Sequence, residues 1–305
     1  MRNSILALLL TAGLTQAATH HVLCAGLGGE PDYDTRFTSL VTDAQKLLAS
    51  PGDTVTALTG AQSSKDSLRA AIAKAIAAAT PDDTLVITLI GHGTFDGSDY
   101  RFNIPGPDLT AAELDQWLAP ARARIVVVLA TSASGGAIAT LRHPNRIIIS
   151  ATRSGAEKNA VVFSRFWVDA LRDAAADSDK NESVSALEAF RFAALKTTRY
   201  YETLKRLATE HPVIEDTGKA DAVADPSPQN GQGLLASRTP IARFGSVQKA
   251  LADPAKQALL KRKETVEQAI DKLKYEKAAL PLADYRKQLS ALLLQLAQIQ
   301  EEIEK

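Results

Sequence analysis

The sequence predicts an α/β fold, a three-layer sandwich around a mostly parallel sheet, followed by a C-terminal antiparallel helical hairpin. Two observations predict the sandwich: continuous runs of Val, Ile and Leu, typical of strands buried on both faces, and segments of helical period between them. A third, the regular spacing of apolar residues near the end of the chain, predicts the hairpin. The 305 residues leave room for one main domain and one appendage.

Strands and helices are expected to alternate over the first half of the chain. Strands are predicted at 22–27, 54–58, 85–91, 125–131 and 147–150. Helices are predicted at 35–48, 64–79, 110–118, 136–141 and 160–175. Thr110 and Glu113 form a capping box at the start of one helix, and residues 99–103 suit a small hairpin. Because helices alternate with strands, the strands are expected to run parallel.

The beginning of the chain has the layout of a secretory signal peptide at residues 1–17. Arg2 precedes an apolar run at 5–10, and a stretch of small residues ends at Ala17, after which we expect cleavage. The chain is therefore expected to be exported, to the periplasm or outside the cell. The apolar run is far shorter than the roughly 20 residues that cross a bilayer, so no membrane insertion is expected.

Charge and cysteine content narrow the function classes. The chain has 35 basic and 35 acidic residues, which gives no electrostatic basis for binding nucleic acid. Cys24 is its only cysteine, so no disulfide can form within the chain, and its apolar neighbours predict a buried thiol in a strand. Partners are therefore to be sought through shape and the chemistry of individual side chains.

The C-terminal part of the chain divides into a polar segment and two amphipathic helices. Residues 216–245 contain a stretch rich in Gly, Asp, Pro, Ser and Gln, which predicts a loop or linker after a main domain at 18–215. Apolar residues recur by threes and fours on both sides of Pro281, which predicts a coiled-coil-like helical hairpin at 246–305. The seam residues are Leu259, Val266, Ile270 and Leu273 before Pro281, and Tyr285, Leu289, Leu292, Leu296, Ile299 and Ile303 after it. Two possibilities stay open: the hairpin packs on itself or on the sandwich, or it binds a helical partner.

Two predicted strands end on residues that can do chemistry. One runs into Gly91-His92-Gly93, and the other runs into Thr-Ser-Ala-Ser-Gly at 131–135. Since parallel sheets bind ligands at the carboxyl ends of their strands, His92 and Ser132 are expected to share one crevice. This pair of strand ends, within about residues 18–215, resembles the caspase-like, legumain-type cysteine peptidases of clan CD, in which one strand ends in His-Gly and the next in Ala-Cys-x-Ser-Gly.

The resemblance implies roles for these positions. His92 matches the base of the family and Gly93 the glycine that lets substrate backbone approach, whereas Ser132 stands where the family has its nucleophilic cysteine. In the loop after the next strand the family builds part of its specificity pocket, although a solvated loop suits the same residues. The candidate peptide contacts there are Arg153, Glu157 and Lys158.

The serine leaves three functions open. A hydroxyl is a far poorer nucleophile than a thiolate, and no Gly-x-Ser-x-Gly elbow surrounds Ser132, which favours a pseudo-peptidase that binds peptide or protein in the ancestral cleft. The alternatives are an active hydrolase with Ser132 as nucleophile and His92 as base, and an interaction protein that acts through the hairpin. A carboxylate or carbonyl within hydrogen-bond reach of the His92 ring would favour the hydrolase, and its absence would favour binding.

Residues 177–188 fit a twelve-position calcium loop of the EF-hand type. Oxygen-bearing side chains fall at the ligand positions, and the apolar Val184 falls at position eight. The candidate calcium ligands are Asp177, Asp179, Asn181, Ser183, Ser185 and Glu188. Glu182 departs from the pattern, because it stands at the sixth position, where a glycine normally permits the sharp turn. The alternative is an acidic turn between two helices, with Glu188 in the first turn of the second.

Overall fold

The protein is built around a six-stranded sheet in the computed structural model, which describes residues 17–219 and 221–305. The strands are β1 (Thr19–Ala25), β2 (Thr54–Leu58), β3 (Thr84–Gly91), β4 (Gly93–Phe95), β5 (Tyr100–Phe102), β6 (Leu109–Thr110), β7 (Arg124–Thr131), β8 (Arg146–Ser150), β9 (Ser183–Ser185), β10 (Val213–Glu215) and β11 (Pro240–Arg243). The helices are α1 (Pro31–Leu47), α2 (Lys65–Ala78), α3 (Ala111–Leu118), α4 (Ile138–Leu141), α5 (Phe163–Ala170), α6 (Ala186–Thr203), α7 (Leu234–Ser237), α8 (Gly245–Leu251), α9 (Pro254–Tyr275) and α10 (Leu282–Glu304). The signal peptide predicted at 1–17 lies outside the described residues except for Ala17.

The central sheet has the order β2-β1-β3-β7-β8-β10. Neighbouring strands run parallel except β10, which pairs antiparallel with β8. The register of β3 against β7 is continuous from Thr84 opposite Arg124 to Gly91 opposite Thr131. Both strands therefore end at the same edge of the sheet. The expected α/β class with a mostly parallel sheet is confirmed.

Helices cover both faces of the sheet and complete the three layers. On one face, Phe37 of α1, Trp167 of α5 and Phe190 of α6 are buried against the sheet. On the other face, Leu68 of α2 and Leu114 of α3 pack against it. Side chains alternate between the two faces along each strand, so both faces meet apolar surroundings. This burial explains the continuous apolar runs of β7 and β8.

A second, small antiparallel sheet follows the end of β3. It consists of β4, β5 and β6 in that order, and the pair β4 and β5 is the small hairpin expected around 99–103. The capping box expected at the start of α3 is present. Thr110 Oγ1 accepts a hydrogen bond from the Glu113 N–H (3.1 Å), and Glu113 Oε2 accepts one from the Thr110 N–H (2.9 Å).

Residues 216–245, expected to form a loop or linker, contain α7 and β11 and lie against the sandwich. Asp216 is buried, and its carboxylate accepts hydrogen bonds from the N–H groups of Gly233 (2.8 Å) and Ala236 (3.0 Å) at the start of α7. β11 pairs antiparallel with β9. Polar side chains of this segment, such as Asp216, point inward and form hydrogen bonds with backbone groups. Composition alone does not distinguish such buried polar residues from those of a solvated loop.

α9 and α10 form the expected antiparallel helical hairpin. Lys256, near the start of α9, donates to the carbonyl of Ile303, near the end of α10 (2.5 Å). Leu260 of α9 and Ile299 of α10 are buried in one apolar cluster with Val247 of α8. The short helix α8 therefore belongs to the same unit.

The hairpin also packs on the sandwich, through α9. Arg243 of β11 is buried, and its guanidinium lies 3.7 Å from the Glu264 carboxylate of α9 and 3.8 Å from that of Asp53, just before β2. The same guanidinium lies 3.3 Å from Thr19 Oγ1 in β1. Across the described part of the chain, no helix combines the length and apolar character needed to cross a membrane.

Candidate functional site

His92 and Ser132 lie at neighbouring strand ends. They follow Gly91 and Thr131, which are paired across β3 and β7. A Cβ atom on Gly93 would lie 2.6 Å from the Ser132 carbonyl oxygen, so only glycine lets the two strand ends approach this closely. Packing within the chain therefore explains why residue 93 is a glycine, and no substrate is needed to account for it.

The Ser132 hydroxyl is held by the backbone of Gly93. Its oxygen accepts a hydrogen bond from the Gly93 N–H (3.1 Å), and it donates its proton to the Gly93 carbonyl (3.2 Å). The residue is only 2% exposed. A hydroxyl has a single proton, and the Gly93 carbonyl lies within hydrogen-bond distance to accept it. The geometry satisfies the hydroxyl without preparing it for attack.

The His92 ring packs against two aromatic side chains of α1. Its centroid is 4.8 Å from that of Tyr33 and 5.1 Å from that of Phe37, both edge-on. Burial, and then the positive charge of Arg36, lower the pKa of His92 below its usual value, while a hydrogen bond to the Gly28 backbone acts in the opposite direction. His92 is therefore neutral near physiological pH, with its ring oriented by a backbone carbonyl. Such a carbonyl is the partner expected beside a working base.

The backbone N–H groups of the turn after Ser132 donate hydrogen bonds to other groups of the chain. Ala133 adopts a left-handed conformation (φ 55°), and its N–H donates to the Glu157 carbonyl (2.7 Å). The Gly135 N–H donates to Thr152 Oγ1 (2.9 Å). These hydrogen bonds fix the loop after β8 against the turn, so the two donors are not free to bind an anion.

The three candidate peptide contacts in the loop after β8 differ in their surroundings. The side chain of Arg153 is 64% exposed, and Lys158 is exposed as well. Glu157 accepts hydrogen bonds from the N–H groups of Arg153 and His211 (both 3.1 Å), and its Oε1 lies 2.6 Å from His211 Nδ1. Glu157 thus joins this loop to the segment before β10, and the two cations remain at the surface.

Carboxylates of the predicted calcium loop converge. One oxygen from each of Asp177, Asp179 and Glu188 lies within 4.8 Å of the others. Asp177 also accepts hydrogen bonds from the N–H groups of Asn181 and Glu182 (both 3.1 Å), which closes the loop. The structure therefore brings together the side-chain oxygens of three of the predicted ligands.

The other three predicted ligands have partners within the loop or in the neighbouring strand β11. Asn181 Oδ1 accepts a hydrogen bond from the Ser183 N–H (2.8 Å). Ser185 Oγ donates to Glu188 (2.8 Å) in the capping box of α6. Ser183 begins β9, where the loop pairs with β11.

Glu182 makes the sharp turn that its position requires. Its φ of 65° lies in the left-handed region that favours glycine. Its carboxylate accepts hydrogen bonds from the N–H groups of Ser246 (2.7 Å) and Val247 (3.1 Å) in the first turn of α8. The residue that departs from the EF-hand pattern therefore caps α8, which offsets the backbone cost of the turn.

Two carboxylates of α9 extend the acidic group. Glu267 and Asp271, four residues apart, line a cavity of about 330 Å³ together with Asp179 and Glu188. Burial, followed by the charge of Glu188, raises the pKa of Asp179 to about 6. Burial also raises the pKa of Glu267 to about 8 and that of Asp271 to about 6. These two residues have no signal in the sequence, because acidic pairs at this spacing are common on helices and nothing local relates them to the loop.

The donor set fits a hard divalent cation. The converging groups are carboxylate oxygens, which are the ligands that Ca²⁺ prefers. Desolvation and the charge of Glu188 raise the pKa of Asp179, and a cation beside it would stabilise its ionised form. Asp177, Asp179 and Glu188 are the side chains that would hold it.

Comparison with known proteins gives structural similarities of low score. No family model matches the chain, and no curated protein matches it. A structural genomics target from Geobacter sulfurreducens is 12% identical, with a TM-score of 0.44 over 75% of this chain and 99% of its own. The Drosophila initiator caspase Dronc is 12% identical, with a TM-score of 0.40 over 69% of this chain and 85% of its own. Raptor from Chaetomium thermophilum is 11% identical, with a TM-score of 0.38 over 94% of this chain and 25% of its own. These scores do not assign a family, and the functional proposal rests on the site.

Proposed function

We propose that the protein is an exported peptidase homologue of the caspase-like, legumain type that binds peptide or protein in the crevice at the ends of β3 and β7 without cleaving it. The observation that carries this proposal is the pair of hydrogen bonds between the Ser132 hydroxyl and the Gly93 backbone. The nucleophile position holds a buried group whose hydrogen bonds are already made.

Catalysis by Ser132 would require several changes at once. The hydroxyl would have to leave the Gly93 carbonyl, turn to His92 and give its proton to the imidazole during attack. These changes cost free energy before any bond to substrate forms, because the Gly93 N–H and carbonyl lose their partner. A hydroxyl is in addition far less nucleophilic than a thiolate near neutral pH. Binding of a peptide requires none of these changes.

Side chains on both sides of the crevice offer contacts to a peptide. On α1, the Arg36 guanidinium lies 4.5 Å from the centre of the Tyr33 ring. On the loop after β8, Arg153 and Lys158 are exposed. An extended segment that crosses the crevice would meet an aromatic ring on one side and positive charge on both.

Binding is tested by fluorescence anisotropy with a fluorescein-labelled pool of degenerate peptides. We expect the pool to bind and Arg36→Ala to weaken binding about tenfold, the size of a lost charged contact. Arg69→Ala is the matched control, because Arg69 is an exposed arginine of α2, which lies on the opposite face of the sheet. No binding, or equal weakening by both variants, would contradict a peptide site in this crevice.

Cleavage is tested with a quenched fluorescent form of the same pool. We expect the unmodified protein to be no faster than its Ser132→Ala variant. Cleavage that both Ser132→Ala and His92→Ala abolish would replace the proposal with the hydrolase. One observation makes the hydrolase the second candidate: the His92 ring already has the orienting hydrogen bond, to the Gly28 backbone.

We further propose that residues 177–188 bind calcium as a structural ion. The support is the convergence of Asp177, Asp179 and Glu188, together with the raised pKa of Asp179, whose charged form a cation would stabilise. Bound calcium would brace the start of α6 and stabilise the wall of the cavity that α9 completes.

A further inference from the structure

The outer face of α10 carries exposed leucines at its middle. α10 packs against the rest of the hairpin through Ile299 and Ile303, which are buried. On another side of the helix, Leu293 is 48% exposed and Leu294 is 62% exposed. Single exposed leucines are common, so the residues around this pair decide whether it marks an interface.

Small residues flank the two leucines at a regular interval. Ala283, Ser290 and Ala297 recur every seven residues and are exposed. At about 100° per residue, these positions fall on the same stripe of the helix as Leu293 and Leu294. The distance between packed helices depends on the side chains at the contact, so small residues here let a second helix approach closely.

The charges on this stripe have opposite signs at its two ends. Arg286 lies toward the start of α10, and Glu301 and Glu304 lie toward its end, all exposed. Two antiparallel copies of α10 bring Arg286 of each copy opposite Glu301 of the other, whereas two parallel copies bring like charges together. The charge pattern therefore fits a second copy of this helix in one orientation.

We propose that two copies of the chain associate through this stripe of α10, antiparallel, with a twofold axis between Leu293 and Leu294. In this arrangement each Ser290 faces Ala297 of the second copy, and the leucines meet at the centre. Both copies use the same patch, which closes the assembly at a dimer. The proposal is independent of the crevice, since α10 lies in the hairpin and not at the strand ends.

The association is expected to be reversible. A single pair of helices buries less surface than the ~1,600 Å² of a typical stable interface, so monomer and dimer should exchange at micromolar concentrations. Glu301 pairs with Lys305 of its own helix at 2.9 Å, but both side chains are exposed. Such a surface pair is weak enough to exchange for Arg286 of the second copy.

Sedimentation velocity over a range of concentrations tests the association. We expect the unmodified protein to shift from monomer to dimer, and Leu294→Glu to weaken association by roughly a hundredfold, because it puts a carboxylate at the centre of the contact. Leu207→Glu is the matched control: Leu207 is 92% exposed and lies between α6 and β10. A monomer at all concentrations, or a dimer that Leu294→Glu leaves intact, overturns the proposal.

Charge reversal tests the pairing across the twofold axis. Arg286→Glu and Glu301→Arg are each expected to weaken association several-fold. The double variant is expected to restore it, because reversal exchanges the signs of the two partners. A double variant as weak as the singles overturns this pairing.

Single cysteines test the orientation. Leu294→Cys puts two thiols beside the proposed axis, so oxidation should link the two copies. Ala283→Cys puts them roughly 30 Å apart, at a rise of about 1.5 Å per residue, so no link should form. The native Cys24 is buried and does not compete. A link through Ala283→Cys, or none through Leu294→Cys, overturns the antiparallel arrangement.

Discussion

The crevice at the strand ends and the acidic loop at 177–188 both carry residues that a sequence motif singles out, but the fold treats them differently. In the crevice, the Ser132 hydroxyl finds both of its hydrogen bonds in the Gly93 backbone. In the loop, Asp179 lies near other carboxylates, and desolvation together with the charge of Glu188 raises its pKa to about 6. The Ser132 hydroxyl therefore has its hydrogen bonds without a ligand, whereas Asp179 in the loop carries an electrostatic cost that a cation would relieve. A motif indicates where to look for a ligand, and the hydrogen bonds and charges of its polar groups show whether a ligand would stabilise them.

Replacing the hydroxyl by a thiol sharpens this comparison most. In Ser132→Cys, the thiol forms only weak hydrogen bonds to Gly93, and the neutral His92 can accept its proton. We expect it to react with iodoacetamide at least about a thousandfold faster than Cys24, because burial raises the pKa of Cys24 to about 12 against about 8.5 for an ordinary thiol. Mass spectrometry of the alkylated peptides measures both rates in one sample. An inert thiol at position 132 would mean that His92 does not face it.

Calcium is expected to stabilise the protein through the loop. A ligand that binds only the folded state, at a hundred times its Kd, adds about 2.7 kcal/mol to the free energy of unfolding. Glu188→Gln should abolish this gain, while Glu202→Gln, at an exposed position of the same helix, should keep it. Thermal unfolding in calcium and in chelator measures the difference. Equal melting temperatures of the unmodified protein in the two solutions would contradict calcium binding and favour the alternative, an acidic turn between two helices.

Without calcium, Asp179 of the loop and Glu267 and Asp271 of α9 should make the free energy of unfolding fall as pH rises. The pKa values of Asp179 and Asp271 are raised to about 6 and that of Glu267 to about 8, so between about pH 4 and about pH 8 the folded state binds more protons than the unfolded state. The stability gained from these protonated forms is complete below about pH 4 and is lost as pH rises through the folded pKa values.

Asp271→Asn tests this dependence by removing one of the charges. We expect it to raise the stability of the calcium-free protein at pH 8 by about 1 kcal/mol and to leave the stability at pH 4 nearly unchanged. Urea unfolding in chelator at both pH values measures the two effects. Asp284→Asn, at an exposed position of α10, is the control. An equal gain in stability from this variant would show that the gain does not come from the position of Asp271 beside the acidic loop.

The smallest expected effect concerns Glu182, and it separates the backbone strain at this residue from the contribution of its carboxylate, which caps α8. Glu182→Gly and Glu182→Ala both remove the carboxylate that caps α8, but only glycine adopts a φ of 65° without strain. The Ala variant should therefore be about 1 kcal/mol less stable than the Gly variant in urea unfolding. If the two variants are equally stable, the loop has relaxed to another turn.

The strands could be predicted because their apolar pattern is local. The strand predicted at 54–58 is β2 (Thr54–Leu58), and the one predicted at 85–91 is β3 (Thr84–Gly91) with one further residue. The first strand is predicted at 22–27 but spans Thr19–Ala25, because the buried His20 and His21 read as polar. Burial lowers the pKa of His21 to about 3, so it is a neutral residue in the core, and no local pattern shows this.

The candidate site could be located from the sequence, but its hydrogen bonds could not. The ends of two apolar runs place His92 and Ser132 next to each other, since strand ends are local features. The direction of the Ser132 hydroxyl depends on how closely Gly93 approaches, which is set by the whole sheet. The acidic cavity likewise depends on where α9 docks, and Glu267 has no signal in its own neighbourhood.

Arg243 sets a condition on the order in which the chain folds. It contacts Thr19 in β1 and Glu264 in α9, so its surroundings are complete only when two segments far apart in sequence are both present. A buried guanidinium that lacks one partner is costly. During synthesis, Arg243 therefore lacks one partner until Glu264 of α9 has emerged, so the contact between β11 and β1 gains its full stability only when α9 is present.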